Sequence, residues 1–257
     1  MKSKLFEMTL KEIREFGKIE VCVLPWGSCE PHNLHLPYGT DSLTIEKIAE
    51  ISCRKANEKG GKVISLPTIP IGINSNLFSF PMTLHLSPTT QLSILKDITY
   101  ALQNHKIFKL VILNGHGGNE FRALLRELYG KTDVFIFLIY WWNFAEDIIN
   151  KVCDDKTGEH GHEAETSWLM YLYPELVHME WADDGKVNEV RFEEAKKGWV
   201  WFVRPWHLLT KNSGYGNPQK ANAEKGEKIV EVATDRISDF LVKLSKEKID
   251  DKFPYQF

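Results

Sequence analysis

The chain has 257 residues, 43% of them hydrophobic and 26% charged, with a formal net charge of −3. That length suits one large domain or two small ones with a proper core. The charge gives no electrostatic footing for a nucleic-acid partner. No apolar run reaches the length of a membrane span, so no membrane partner is expected. The opening run MKSKLFEMTLKEI holds no long apolar stretch and no small-residue cleavage site, which reads as no secretory signal. Cys22, Cys29, Cys53 and Cys153 form no CxxC pair and read as reduced thiols of a cytoplasmic protein.

In chain order, Thr9-Leu10-Lys11-Glu12 is a capping-box sequence opening a short helix. A continuous apolar run, Ile19 to Pro25, reads as a buried strand. An amphipathic helix follows over Thr40 to Lys59, then a second strand over Lys62 to Pro67. Ser87 offers an N-cap and Pro88 a first-turn proline for a helix to about Asn104. Strands are expected over Phe108 to Leu113 and Asp133 to Trp141, with a helix over Asn119 to Tyr129 between them. A helix over Glu163 to Tyr173 stops at Pro174, and Gln219 to Glu247 forms a long charged helix. Alternating strands and helices, without repeats or linkers, predict one α/β domain over 1–257. Its architecture is a three-layer α/β/α sandwich on a mainly parallel sheet.

Such sheets bind ligands beyond the carboxyl ends of their strands. Glu30, His32 and Asp41 follow the first strand, His116 the third, and Trp142 and Asn143 the fourth. Two imidazoles and two carboxylates are a ligand set for Zn²⁺, Mn²⁺ or Fe²⁺. Glu30 and His32, two residues apart, share one side of an extended segment. Asp41, at a helix start, has two oxygens with which to bridge two ions. The turn Asn114-Gly115-His116-Gly117-Gly118-Asn119 lets backbone approach a ligand closely. Singly, each piece has a plainer reading: a loop histidine, a phosphate cradle, an acid serving a helix dipole. The convergence of two clusters on one rim raises them above it. A third cluster runs from Glu159 to Ser167. A helix starting near His162 puts His162 and Glu165 on one face and turns Glu163 away.

These residues carry a resemblance. Gly27 to Asp41 resembles the pattern GSxEQHGPHLPLGTD of the creatininase (creatinine amidohydrolase) family. Asn114 to Asn119 matches its NGHGGN signature, and His160 to Ser167 resembles its HAGEAETS segment. Phe80-Pro81-Met82-Thr83 looks like its FPGT, and Gly216-Asn217-Pro218 like its GDP. The resemblance implies a single α/β/α domain, a centre of two divalent ions and a homo-oligomer, often a hexamer. It implies metal ligands at Glu30, His32, Asp41 and His116, with Asp41 bridging. It adds Glu165 as a ligand and His160 as the proton-transfer residue, with His162, in place of a glycine, competing for that role.

Pro31, Asn33 and Leu34 depart from the usual Gln, Gly and Pro. Gly117 and Gly118 stand where true creatininases carry an aromatic residue and a glutamate, which argues against creatinine itself. The NGHGGN branch includes a deformylase of pterin and flavin precursors and a peptidase of the mycofactocin precursor. The expected activity is hydrolysis of a non-peptide amide C–N bond, cyclic amides included, in a small molecule. A hydroxide held between two ions attacks the carbonyl, and His160 protonates the leaving nitrogen. Trp142 and Gly117 are expected to wall the substrate. Glu163→Gln is expected to change little. The alternatives are deformylation of a pterin or flavin precursor and a binding protein that kept the fold but lost catalysis. A phosphoesterase would need Lys or Arg at the site; the motifs hold none, leaving only a distant residue such as Arg204.

Overall fold

A computed structural model describes residues 2–256. Four parallel strands form the sheet: β1 (Val21–Trp26), β2 (Val63–Ser65), β3 (Lys109–Asn114) and β4 (Phe135–Tyr140), in the order β2-β1-β3-β4. The helices are α1 (Leu10–Phe16), α2 (Thr40–Glu58), α3 (Pro88–Asn104), α4 (Phe121–Leu128), α5 (Glu146–Val152) and α6 (Glu163–Leu172). Two four-residue pieces, α7 (Glu193–Lys196) and α8 (Trp206–Leu209), precede the long α9 (Ala223–Lys246).

β1 and β3 are buried throughout, and alternate residues feed two cores. Val21, Val23, Val111 and Leu113 pack with Ile45 and Ile48 of α2, Leu169 of α6 and Ile229 and Ile237 of α9. Cys22, Leu24, Trp26, Leu110 and Ile112 pack on the other face with Leu95 and Leu102 of α3 and Phe121 of α4. A strand buried on both faces cannot alternate apolar with polar residues, which is why these strands read as continuous apolar runs. The result is the expected three-layer α/β/α arrangement.

The local signals act as the sequence predicts. Thr9 and Glu12 form both halves of a capping box. Ser87 accepts from the Thr90 N–H, with Pro88 at the first helical position. Boundaries shift where side chains are otherwise engaged. α4 starts at Phe121 because Asn119 is tied into the preceding turn by Gln91 Nε2 and the Asn114 side chain. α9 starts at Ala223, capped by Asn222, whose Oδ1 accepts from Lys225 N at 3.0 Å.

From β1 the chain moves outward one way to β2, then returns past β1 to β3 on the other side. The carboxyl ends of β1 and β3 therefore flank the point where strand order reverses. A crevice opens there, because the connections leave in opposite directions.

Candidate metal centre

The loop after β1 delivers Glu30 and His32 to that crevice, the first turn of α2 delivers Asp41, and the turn after β3 delivers His116. α6 adds Glu165 from its first turn. All five are buried, none more than 8% exposed. Glu30 and Glu165 are each held by one carboxylate oxygen and present the other. Glu30 Oε2 accepts from Ser28 Oγ at 3.0 Å, and Ser28 in turn accepts from Asn74 Nδ2. Glu30 Oε1 lies 3.2 Å from His116 Nδ1. Glu165 Oε2 accepts from the Gly161 N–H at 2.6 Å, while Oε1 faces His32 Nε2 at 3.7 Å. Asp41 faces both ways: Oδ1 is 3.1 Å from His32 Nε2 and Oδ2 is 3.0 Å from His116 Nδ1.

The imidazoles are oriented from behind. His32 Nδ1 meets the carbonyl of Glu30 at 3.0 Å, and His116 Nε2 meets that of Ile73 at 3.1 Å. Each outer nitrogen donates to its carbonyl, so the inner nitrogen faces the carboxylates. Metal-ligating histidines are oriented in this way. The Gly118 turn permits it, since a Cβ there would stand 2.4 Å from His116 Nε2.

Three buried carboxylates at one point repel each other and require cations. Without an ion, protonated histidines take that part. Burial opposes a charge on His32, but Asp41 and Glu165 outweigh it and push its pKa up to about 10. His116 is likewise raised well above its ordinary value, chiefly by Glu30 against the cost of burial. Burial would raise Glu30 and Asp41, yet the histidines hold both below the usual carboxylate range. Burial prevails at Glu165, raised to about 7. Asp41 Oδ2 still has no hydrogen-bond partner, although His116 Nδ1 lies 3.0 Å away.

The donor set therefore fits divalent ions. Glu30, Asp41 and His116 converge as one triad and His32, Asp41 and Glu165 as another, each with its ligand atoms within 4.8 Å of one another. Two divalent ions carry one positive charge more than the three carboxylates offset.

His160 stacks on His32 with ring centroids 3.9 Å apart. Its Nε2 donates to the Pro31 carbonyl at 2.8 Å, and Nδ1 lies 3.8 Å from Glu30 Oε1. Burial and the neighbouring His32 charge lower its pKa to about 3. His162 stands at the N-cap position of α6 without a side-chain capping bond, and its Nδ1 has no partner. It lines the same cavity but makes no contact with the carboxylates of the cluster comparable to that of His160.

The cavity, about 550 Å³, is lined by the ligand cluster and by Gly117, Trp142, Asn143, Asn76, Arg204 and Trp206. Trp141 borders it too but is buried against Trp168, ring centroids 4.7 Å apart, so Trp142 is the freer wall. A side chain at Gly117 would meet open space. Sequence reasoning did not find Asn74 or Trp206 and left Arg204 distant; the structure puts Arg204 on the cavity wall. Glu163 has a structural part that the sequence did not show. It does point away from Glu165, but it is fully buried, pairs with Lys225 and accepts the Asp154 and Asp155 N–H groups at 2.7 Å each. It staples the loop before His160 and is not idle.

A buried carboxylate–histidine cluster at the rim of a parallel sheet defines a metal-dependent hydrolase. The creatininase pattern, described as creatinine amidohydrolase, matches residues 6–241. The chain is 28% identical to a Pseudomonas putida creatinine amidohydrolase, over 91% of this chain and 94% of that one. It is 26% identical to a Thermotoga maritima 3-dehydro-scyllo-inosose hydrolase, over 96% of this chain and 83% of that one. A Bacteroides fragilis crystal structure, provisionally named a creatinine amidohydrolase, superposes with a TM-score of 0.91 at 33% identity, over 97% of this chain and 99% of that one. A manganese form of creatininase superposes with a TM-score of 0.78 at 25% identity, over 96% of this chain and all of that one. The chain belongs to the creatininase family. It is a metal-dependent hydrolase of the amidohydrolase class.

Proposed function

We propose that the chain hydrolyses a non-peptide amide C–N bond in a small molecule, cyclic amides included, with two divalent ions, Zn, Mn or Fe. Glu30, Asp41 and His116 would hold one ion, and His32, Asp41 and Glu165 the other. The observation that carries this reading is Asp41, whose oxygens each face a different histidine while Oδ2 has no hydrogen-bond partner. When bound, such ions lower the pKa of water and polarise a carbonyl oxygen.

The chain's own residues supply the rest. His160 is neutral, and its Nε2–H is committed to the Pro31 carbonyl. Its free Nδ1 takes a proton from the attacking water and returns it to the leaving nitrogen. Trp142 and Gly117 wall the cavity, and His116 stays oriented by Ile73.

Assembly as a homo-oligomer, a hexamer in the resemblance, is supported by exposed apolar residues over 199–203, with Trp199 73% and Trp201 82% exposed. A cytoplasmic place is supported by four free thiols. The test is turnover on a panel of cyclic and linear amides with creatinine included. Other amides are expected to be cleaved and creatinine weakly or not at all, because Gly117-Gly118 brings neither aromatic wall nor carboxylate. Rapid creatinine turnover would contradict this placement.

A further inference from the structure

Arg204 is the one Arg or Lys side chain among the described residues that line the cavity. Its guanidinium lies over the Trp206 ring, 5.6 Å from the centroid. The Trp206 ring in turn meets His160 edge-on, with centroids 4.7 Å apart. One indole therefore separates the cation from the proton-transfer residue. Trp206 is buried, and the Arg204 carbonyl accepts from Asn76 Nδ2 at 3.3 Å, so the base of the side chain is fixed. Of five N–H donors, Arg204 spends one, on Glu159 Oε2 at 2.7 Å. Both members of that pair are nearly half exposed. Such an ion pair is weak and screened, and Arg204 can hold a second anion without releasing the first. Glu146 and Glu159 are the acids at the mouth, and the ion-loaded cluster carries a positive surplus at the other end.

We infer that the substrate is an amide bearing an anionic oxo group, carboxylate or phosphate, which Arg204 receives through its unspent N–H donors while the amide reaches the ligand cluster. Planar, forked donors suit such groups better than a point charge does. The inference deepens the proposed function and rests on it. Arg204 would be the specificity residue, stacked on Trp206 so that the anion and the amide lie on either side of one indole.

The test uses zinc-loaded protein and alkyl hydroxamates with one to four methylenes, ending in a carboxylate, a phosphonate or a neutral carboxamide. The hydroxamate seeks the ions and the far end reads Arg204. Calorimetry gives each dissociation constant. At the best chain length, an anionic end is expected to bind about 10- to 100-fold tighter than the neutral end. The carboxylate and phosphonate arms then tell which anion is preferred. In Arg204→Gln that ratio should fall to about 1, and in Arg204→Lys it should fall between the two. Anionic and neutral ends bound equally, or a ratio kept in Arg204→Gln, would overturn the inference and leave the two-ion reading standing. Failure of every hydroxamate to bind would overturn both.

Discussion

The rim between β1 and β3 and the segment from residue 174 to 222 follow opposite rules. At the rim, every reactive side chain is buried, and all but Asp41 are held from behind by a backbone group or a neutral side chain. The later segment has only short helical pieces, such as α7 and α8, and leaves Phe192, Trp199 and Trp201 largely exposed. Yet both reach the cavity, since the segment delivers Arg204 and Trp206. The sheet fixes the chemistry because strand ends converge wherever strands are parallel. The excursion supplies the outer wall, whose position depends on how a long chain folds back.

The sharpest break of the rim is Asp41→Ala. It should remove both ions and abolish activity while leaving the sheet intact, since Asp41 lies above the core. Glu165→Gln should release one ion more readily than the other. Metal analysis of the two purified variants checks this, and equal partial loss in both would remove the bridge.

Next in size is a pH effect peculiar to the rim. In the metal-free protein, His32 is raised to about 10 from an ordinary 6.5, so its contribution is complete below 6.5 and lost as pH climbs through 10. Glu165, raised from 4.5 to about 7 by burial, works in the same direction over a lower window. Above pH 7, where the depressed His35, His160 and His162 are neutral in folded and unfolded chains alike, metal-free protein should therefore lose thermal stability up to pH 10. Metal-loaded protein should not, because ions replace protons. Parallel melting curves for the two forms would contradict the assigned origin of the charge balance.

Glu163→Gln sharpens the comparison from behind the rim. It should cost about 1–3 kcal/mol in denaturant unfolding, because a buried acceptor of two N–H groups is altered. Metal content should stay near wild type. Unchanged stability would mean that the loop before His160 needs no staple.

The smallest effect tests a family departure. Met82 stands where the family pattern has glycine and adopts φ 59° while largely exposed. Met82→Gly should gain about 0.5–1 kcal/mol, the left-handed strain relieved less the added chain entropy. Asn33, at another family glycine, also has φ 56°, but its Oδ1 accepts from Leu34 N at 2.7 Å. Replacing it by glycine should bring no such gain.

Much of this was legible in the sequence for stated reasons. Buried parallel strands write themselves as apolar runs, so β1 to β4 and the rim were accessible. Glu30, His32, Asp41 and His116 were singled out because their types and placement at strand ends suit one chemistry, whereas Glu165 entered as a ligand through the family resemblance. Asn74 was not, because an asparagine that orients a serine looks like any loop asparagine. Arg204 was not placed, because no periodic pattern links residue 204 to a strand end. The burial of Glu163 was not legible, because a charged residue in a helix's first turn ordinarily faces water, and here Lys225 and two N–H groups make its burial tolerable.

Elemental analysis with anomalous scattering, on protein grown and purified with zinc and manganese, tests the central claim most directly. The expected result is about two ions per chain, one between Glu30 and His116, the other between His32 and Glu165, and both touching Asp41. A metal-free cluster, or a single ion that leaves Asp41 untouched, would contradict it.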